Sequence, residues 1–228
     1  IFFHIYLAYA TEFWALQYVS GAKTALIYNL SPFVTALLAY LVFADRLTWK
    51  KWLGLIIGFV GFIPLLKSNG TMNLVGFISV PEIMLLISVV AACIGWIIMK
   101  KLLQRGYSPL LVNGIAMIVG GILSFITSYF IESWNPAVSA WWPVLWQGGL
   151  LILLANLIYY NFYGYLLHRY SITFLSFVGF VTPIFTALFD WLFFGLTVSP
   201  AFYGTTVCVA CGLWLFWIDE RLTAKKLK

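Results

Sequence analysis

Long apolar stretches separated by short polar breaks run the whole length of the chain. A helix needs about 20 mainly apolar residues to cross the hydrocarbon of a bilayer. Eight stretches meet that need: residues 1–20, 24–44, 50–67, 80–101, 108–131, 142–167, 172–196 and 200–218. The breaks between them carry turn chemistry, as in Ser20 to Lys23, Asp45 to Thr48, Ser68 to Thr71 and Gln104 to Tyr107. Breaks this short make neighbouring helices antiparallel and leave no room for a domain outside the membrane. The pattern predicts an all-α, polytopic membrane protein with eight transmembrane helices. The first stretch lacks a basic leader and a small-residue cleavage site and carries Glu12, so it reads as a span rather than a signal peptide.

Composition narrows the function classes. Of the 228 residues, 63% are hydrophobic and 9% charged, where soluble domains average about 25% charged. An ordinary soluble enzyme, a disordered chain and a nucleic-acid-binding domain are all excluded. The net charge of +6 is a topology signal. With alternating sides, Arg46, Lys50, Lys51, Lys100, Lys101, Arg105, Arg169, Arg221, Lys225, Lys226 and Lys228 fall on one side, and Lys23 and Lys67 on the other. The richer side is cytoplasmic by the positive-inside rule. The chain therefore enters and ends in the cytoplasm, in what is expected to be a bacterial inner membrane. Cys208 and Cys211 have CxxC spacing but no histidine beside them, and a zinc site needs four ligands. With Gly204 and Gly212 they read as a small-residue packing face. No catalytic, cofactor-binding or metal-binding motif is found.

An internal repeat follows from aligning residues 31–43, SPFVTALLAYLVF, with 182–194, TPIFTALFDWLFF. At an offset of 151 the identical pairs are Pro32/Pro183, Thr35/Thr186, Ala36/Ala187, Leu37/Leu188, Leu41/Leu192 and Phe43/Phe194. After one gap, Gly54 pairs with Gly204. The first motif runs into the basic turn Asp45–Lys51 and the second into the uncharged Gly195–Pro200, so the two point in opposite directions. Inverted-topology repeats are typical of secondary transporters. An inverted unit needs an odd number of helices. Residues 80–218 supply five and residues 1–67 three, so two further helices are expected before Ile1 and the whole is a five-plus-five array. Residues 68–79 are then an extracytoplasmic linker and 219–228 a basic cytoplasmic tail.

The segment from Ala25 to Leu66 resembles the fourth and fifth helices of the EamA repeat of the drug/metabolite transporter superfamily. The likeness rests on Ser31-Pro32 opening a helix, the turn Asp45-Arg46-Leu47, and Trp52-Leu53-Gly54 in the next helix. Residues 173–194 are similar to the matching part of the second repeat, except that Gly195-Leu196-Thr197 stands where an acidic-Arg-Leu turn is usual. The resemblance implies a ten-helix carrier with both termini in the cytoplasm, moving amino acids, nucleosides or related metabolites. One branch handles S-adenosylmethionine and its product, and Gly61 to Pro64 and Gly95-Trp96 are similar to it.

Candidate chemistry lies inside the spans. An acid at the centre of a spanning helix costs about 2.5–3.5 kcal/mol on translocon scales, so such groups are functional by default. Glu12 either binds a cationic part of a substrate, takes a coupling proton, or ties helices together through Tyr or Asn neighbours. Tyr9 shares its face, and the repeat offset pairs Tyr9 with Tyr160 and Glu12 with Tyr163, across a pseudo-two-fold axis near the midplane. Asp190 gates, couples or pairs near the outer interface. Asn156, Tyr160 and Tyr163 fall at i, i+4 and i+7, one stripe of an α-helix, with Tyr159 and Asn161 beside them. Tyr and Asn suit a planar or amino-acid-like ligand. Pro32 and Pro183 free backbone carbonyls, tolerated where they face protein or a wet cavity. Tyr28 and Asn29 precede Pro32, and Trp14 and Trp96 offer stacking faces. His4 and His168 are expected at the interface. The reading is a secondary carrier of a small organic metabolite working by alternating access, with protons or a counter-substrate as coupling partners. The alternative is a lipid-modifying membrane enzyme or a flippase of a lipid-linked substrate.

Overall fold

A computed structural model of the chain describes residues 2–19, 24, 27–44, 47–68, 79–131, 141–195 and 200–226. These residues are helical with short turns, and no strand occurs among them. A π-helical segment, Phe2–Leu7, runs into α1, Ala8–Leu16. There follow α2, Ser31–Phe43; α3, Trp49–Ser68; α4, Val80–Gln104; and α5, Pro109–Ile131. Helix α6, Trp141–Leu166, contains a π-helical stretch at Ile152–Tyr159. The last elements are α7, Ile172–Val178; a 3-10 turn, Gly179–Val181; α8, Thr182–Phe194; and α9, Pro200–Lys226.

The described residues of the expected spans are mostly helical, with differences at several places: within 24–44, Asn29 and Leu30 form a turn and the regular helix starts at Ser31. The stretch expected over 172–196 is broken at Gly179–Val181, immediately before Pro183, whose ring cannot supply an amide to the preceding turn. The stretch expected over 1–20 leaves regular helix at Leu16. Helix α9 stays helical to Lys226, through most of the segment expected as a basic tail, and Asp219 is buried. At 1.5 Å per residue its 27 residues reach about 40 Å, longer than the roughly 30 Å hydrocarbon core. Among the described residues, α4, α5 and α6 are long and apolar enough to cross a bilayer on that measure alone.

Local chemistry sets the helix ends. Pro32 sits in the first turn of α2, where its missing amide would be unpaired anyway. Ser79 caps α4 with Glu82 in a reciprocal capping box. Ser171 accepts from the Phe174 amide at 3.2 Å to open α7. Gly106 (φ 92°) and Gly195 (φ 65°) close α4 and α8 in the left-handed region that favours glycine.

Glycines bring α3 and α9 together. A Cβ on Gly54 would stand 2.7 Å from the Gly212 carbonyl oxygen, and one on Gly212 would stand 2.5 Å from that of Gly54. Farther along, Cys208 packs on Gly61, and the Thr205 hydroxyl donates to the Gly61 carbonyl at 2.8 Å. The packing face expected from Cys208 and Gly212 is therefore present, whereas Gly204 faces open space and Cys211 is exposed. Leu55, Phe177, Phe180, Val209 and Phe216 fill the core beside this contact. The Thr48 hydroxyl, in the turn before α3, donates to the Asp219 carboxylate at 2.5 Å and so ties that turn to α9. By contrast, residues 141–151 of α6 bury nothing, and most of α5 is exposed. In a bilayer such apolar faces cost nothing, because lipid replaces water as solvent.

Candidate functional site

Helices α1, α2, α4, α6 and α7 enclose a cavity of about 480 Å³, within the roughly 300–1,000 Å³ usual for small-molecule sites. Its walls differ in chemistry. One wall is aromatic: Trp96 of α4 lies 4.1 Å from Tyr163 and 5.2 Å from Tyr160, the latter nearly parallel at 27°. A second is lined by hydroxyls. Thr35 lies 3.3 Å from both Cys93 Sγ and Ser176 Oγ, and Ser176 donates to Ser31 Oγ at 3.3 Å. The third holds Glu12, half-buried, with the Tyr28 hydroxyl in hydrogen-bonding reach. Tyr28 in turn bonds Ser88 at 2.8 Å, and Ser88 donates to the Ala8 carbonyl at 2.8 Å. Among the described residues that line the cavity, Glu12 is the one carboxylate, and no lysine or arginine is among them.

Seven residues singled out in the sequence line this cavity: Tyr9, Glu12, Tyr28, Trp96, Tyr159, Tyr160 and Tyr163. Tyr9 and Tyr160, 151 positions apart, share a hydrogen bond of 2.7 Å between their hydroxyls. That separation equals the repeat offset. Three others stand elsewhere. Trp14 is 40% exposed and packs on Tyr18 at 5.0 Å, outside the lining. Asn29 is buried in the turn before α2. Asn156 is half-buried but leaves the stripe of Tyr160 and Tyr163, because Ile152–Tyr159 is π-helical. A π-helix bonds i to i+5, so residues before Tyr160 are rotated away from the α-helical wheel. Tyr159 and Phe162 line the cavity instead. Asn161 holds helices together: it accepts from Asn113 at 3.3 Å and donates to the Leu157 carbonyl at 2.7 Å. Pro32 is buried at the start of α2. The side chains of Pro183 and Asp190 lie outside the described residues.

Two groups of lining residues were not singled out. Thr35, Cys93 and Ser176 carry no charge, and only the repeat pairing of Thr35 with Thr186 marked any of them. His4, expected at the interface, is buried in the cavity wall, edge-on to Trp96 at 4.5 Å. Its proximity to the end of an apolar stretch hid this. Any side chain at Gly95 would collide with His4 there.

The model of the EamA-like transporter family matches residues 1–66 and 80–218. A protein of Chlamydia trachomatis serovar L2, named as an S-adenosylmethionine/S-adenosylhomocysteine transporter, is 33% identical over 222 residues, covering 94% of this chain and 68% of its own length. A protein of the same name in Chlamydia muridarum is also 33% identical, over 94% of this chain and 70% of its own. A solved crystal structure shares the fold, with a TM-score of 0.78 at 16% identity, over 95% of this chain and 74% of that one. The family match and these relatives mark the chain as an integral membrane transporter of small metabolites, not an enzyme. The chain belongs to the EamA-like transporter family.

Proposed function

We propose that the chain moves S-adenosyl metabolites across the membrane by alternating access, exchanging S-adenosylmethionine for S-adenosylhomocysteine through the cavity of Glu12, Trp96 and Tyr160. The observation that carries this is the division of the cavity walls by chemistry. An adenosyl ligand has a planar ring, a positive centre and a carboxylate. The Trp96–Tyr160–Tyr163 wall offers a stacking face for the ring. Glu12 offers a negative charge for the sulfonium, and the rings of Tyr9 and Tyr28 stand beside it, where an aromatic face attracts a cation. Ser31, Thr35 and Ser176 offer hydroxyl donors for the carboxylate. The chlamydial relatives' names support the same ligands.

In this reading α1 to α3 are the last helices of a first five-helix repeat, and α4 to α9 form the second. The Tyr9–Tyr160 hydrogen bond supports it, since it joins positions one offset apart. The basic residues orient the Lys228 end toward the cytoplasm. Exchanging a sulfonium for a neutral thioether moves one positive charge per cycle, so the exchange is electrogenic unless a proton moves the other way. Uptake of labelled S-adenosylmethionine into bacteria expressing the protein tests the assignment. Excess unlabelled S-adenosylhomocysteine is expected to chase the label out, while methionine and adenosine are not. Uptake equal to that of cells without the protein would reject it.

A further inference from the structure

We propose that His4 is the specificity-determining contact for the polar edge of the ligand's heterocycle. The proposal rests on the adenosyl reading above and extends it to a residue with no role there. His4 is 5% exposed, yet neither Nδ1 nor Nε2 has a hydrogen-bond partner among the described residues. Buried polar side-chain atoms nearly always have one. Nδ1 packs on Gly95 of α4, which leaves Nε2, in a cavity wall, for a partner that enters the cavity.

The surroundings hold the ring in place. It stands edge-on to Trp96 at 4.5 Å and 79°, and edge-on to Tyr160 at 5.6 Å and 68°. Those two rings are nearly parallel to one another. A planar ligand group stacked along the Trp96 and Tyr160 faces would bring its rim, not its face, to His4. Gly95 of α4 supplies the notch that admits the imidazole, since a Cβ there would overlap His4 Nδ1, Cα and Cβ. The π-helical winding of Phe2–Leu7 turns His4 and Ile5 inward, and single π-turns are frequent at functional sites.

The chemistry selects the partner. Neutral imidazole offers one donor and one acceptor. The purine edge of adenine alternates an amino donor with ring-nitrogen acceptors, so either tautomer finds a match. A hydrocarbon ring or phenyl group would leave Nε2 unpaired. His4 and Glu12 are eight positions apart on one continuous helical stretch, roughly 10–12 Å at helical rise. That separation suits an elongated ligand with its ring at one end and its cation at the other.

The test is equilibrium binding to the purified full-length protein in lipid nanodiscs. The probes are S-adenosylhomocysteine and its 1-deaza, 7-deaza and 6-deamino analogues. Wild type should bind at least one analogue about tenfold more weakly than the parent, the loss of a single well-formed hydrogen bond. His4→Phe keeps a ring in the notch but removes both nitrogens. It should bind the parent about tenfold more weakly and no longer penalise that analogue. Gly95→Ala displaces the imidazole without touching its chemistry and should give the same pattern, which keeps the question answerable if one variant fails to fold. Parent affinity unchanged in both variants, or every analogue penalised as in wild type, would overturn the assignment. A wild type that does not bind S-adenosylhomocysteine at all is a separate failure: it removes the adenosyl reading and the His4 contact with it.

Discussion

Replacing Glu12 with glutamine removes the one carboxylate among the described lining residues while keeping its shape and its place beside Tyr28. S-adenosylmethionine carries a sulfonium that S-adenosylhomocysteine lacks, so the loss should fall on one ligand more than the other. A unit charge about 5 Å from the carboxylate gains roughly 3 kcal/mol at an effective dielectric of about 20. Glu12 is half-buried, and solvent screening reduces this to about 1.5 kcal/mol, or about tenfold in affinity. Competition binding to wild type and Glu12→Gln gives the ratio of the two affinities directly. Glu12→Gln should weaken S-adenosylmethionine about tenfold, change S-adenosylhomocysteine less than threefold, and slow both net uptake and exchange of the methylated ligand. An unchanged ratio would refute the pairing of Glu12 with the sulfonium. Loss of net accumulation with exchange fully intact would instead mark Glu12 as a proton-coupling group.

Gly54→Ala should lower thermal stability in detergent by about 1–3 kcal/mol, because its Cβ meets backbone that cannot step aside, whereas Gly204→Ala, facing open space, should be nearly neutral. A double-mutant cycle of Tyr9→Phe and Tyr160→Phe, read by the same unfolding assay, should return a coupling near 0.6 kcal/mol; zero coupling would contradict the hydrogen bond between them. Reporter fusions should put residues 45–51 on the cytoplasmic side and residues 132–141 on the other, and finding both on one side would break the inverted repeat.

Helix number and placement were legible because a spanning helix announces itself by length and apolarity. The meeting of Tyr9 and Tyr160 was legible for a different reason: an internal repeat carries long-range geometry that a single helix does not. Asn156 is not among the lining residues of the cavity: the α-helical wheel that puts it on the stripe of Tyr160 and Tyr163 does not apply where the backbone is π-helical, and nothing in ILLANLIY signals that change of winding. Trp14 is also outside the lining, and a tryptophan in a span looks the same in the sequence whichever way it faces. Gly204 and Gly212 were indistinguishable until the crossing point of α3 and α9 was known. His4 needed two facts together, the notch at Gly95 and the inward turn of the chain before α1, and each is visible only in three dimensions.

Counterflow in proteoliposomes is the decisive assay. Vesicles holding the full-length protein are loaded with unlabelled S-adenosylhomocysteine and diluted into trace labelled S-adenosylmethionine. An exchanging carrier with one alternately exposed cavity should draw label in above its equilibrium level, transiently, and only in loaded vesicles. Label that enters loaded and empty vesicles equally, or that rises without limit in proportion to its concentration, would contradict exchange through this cavity.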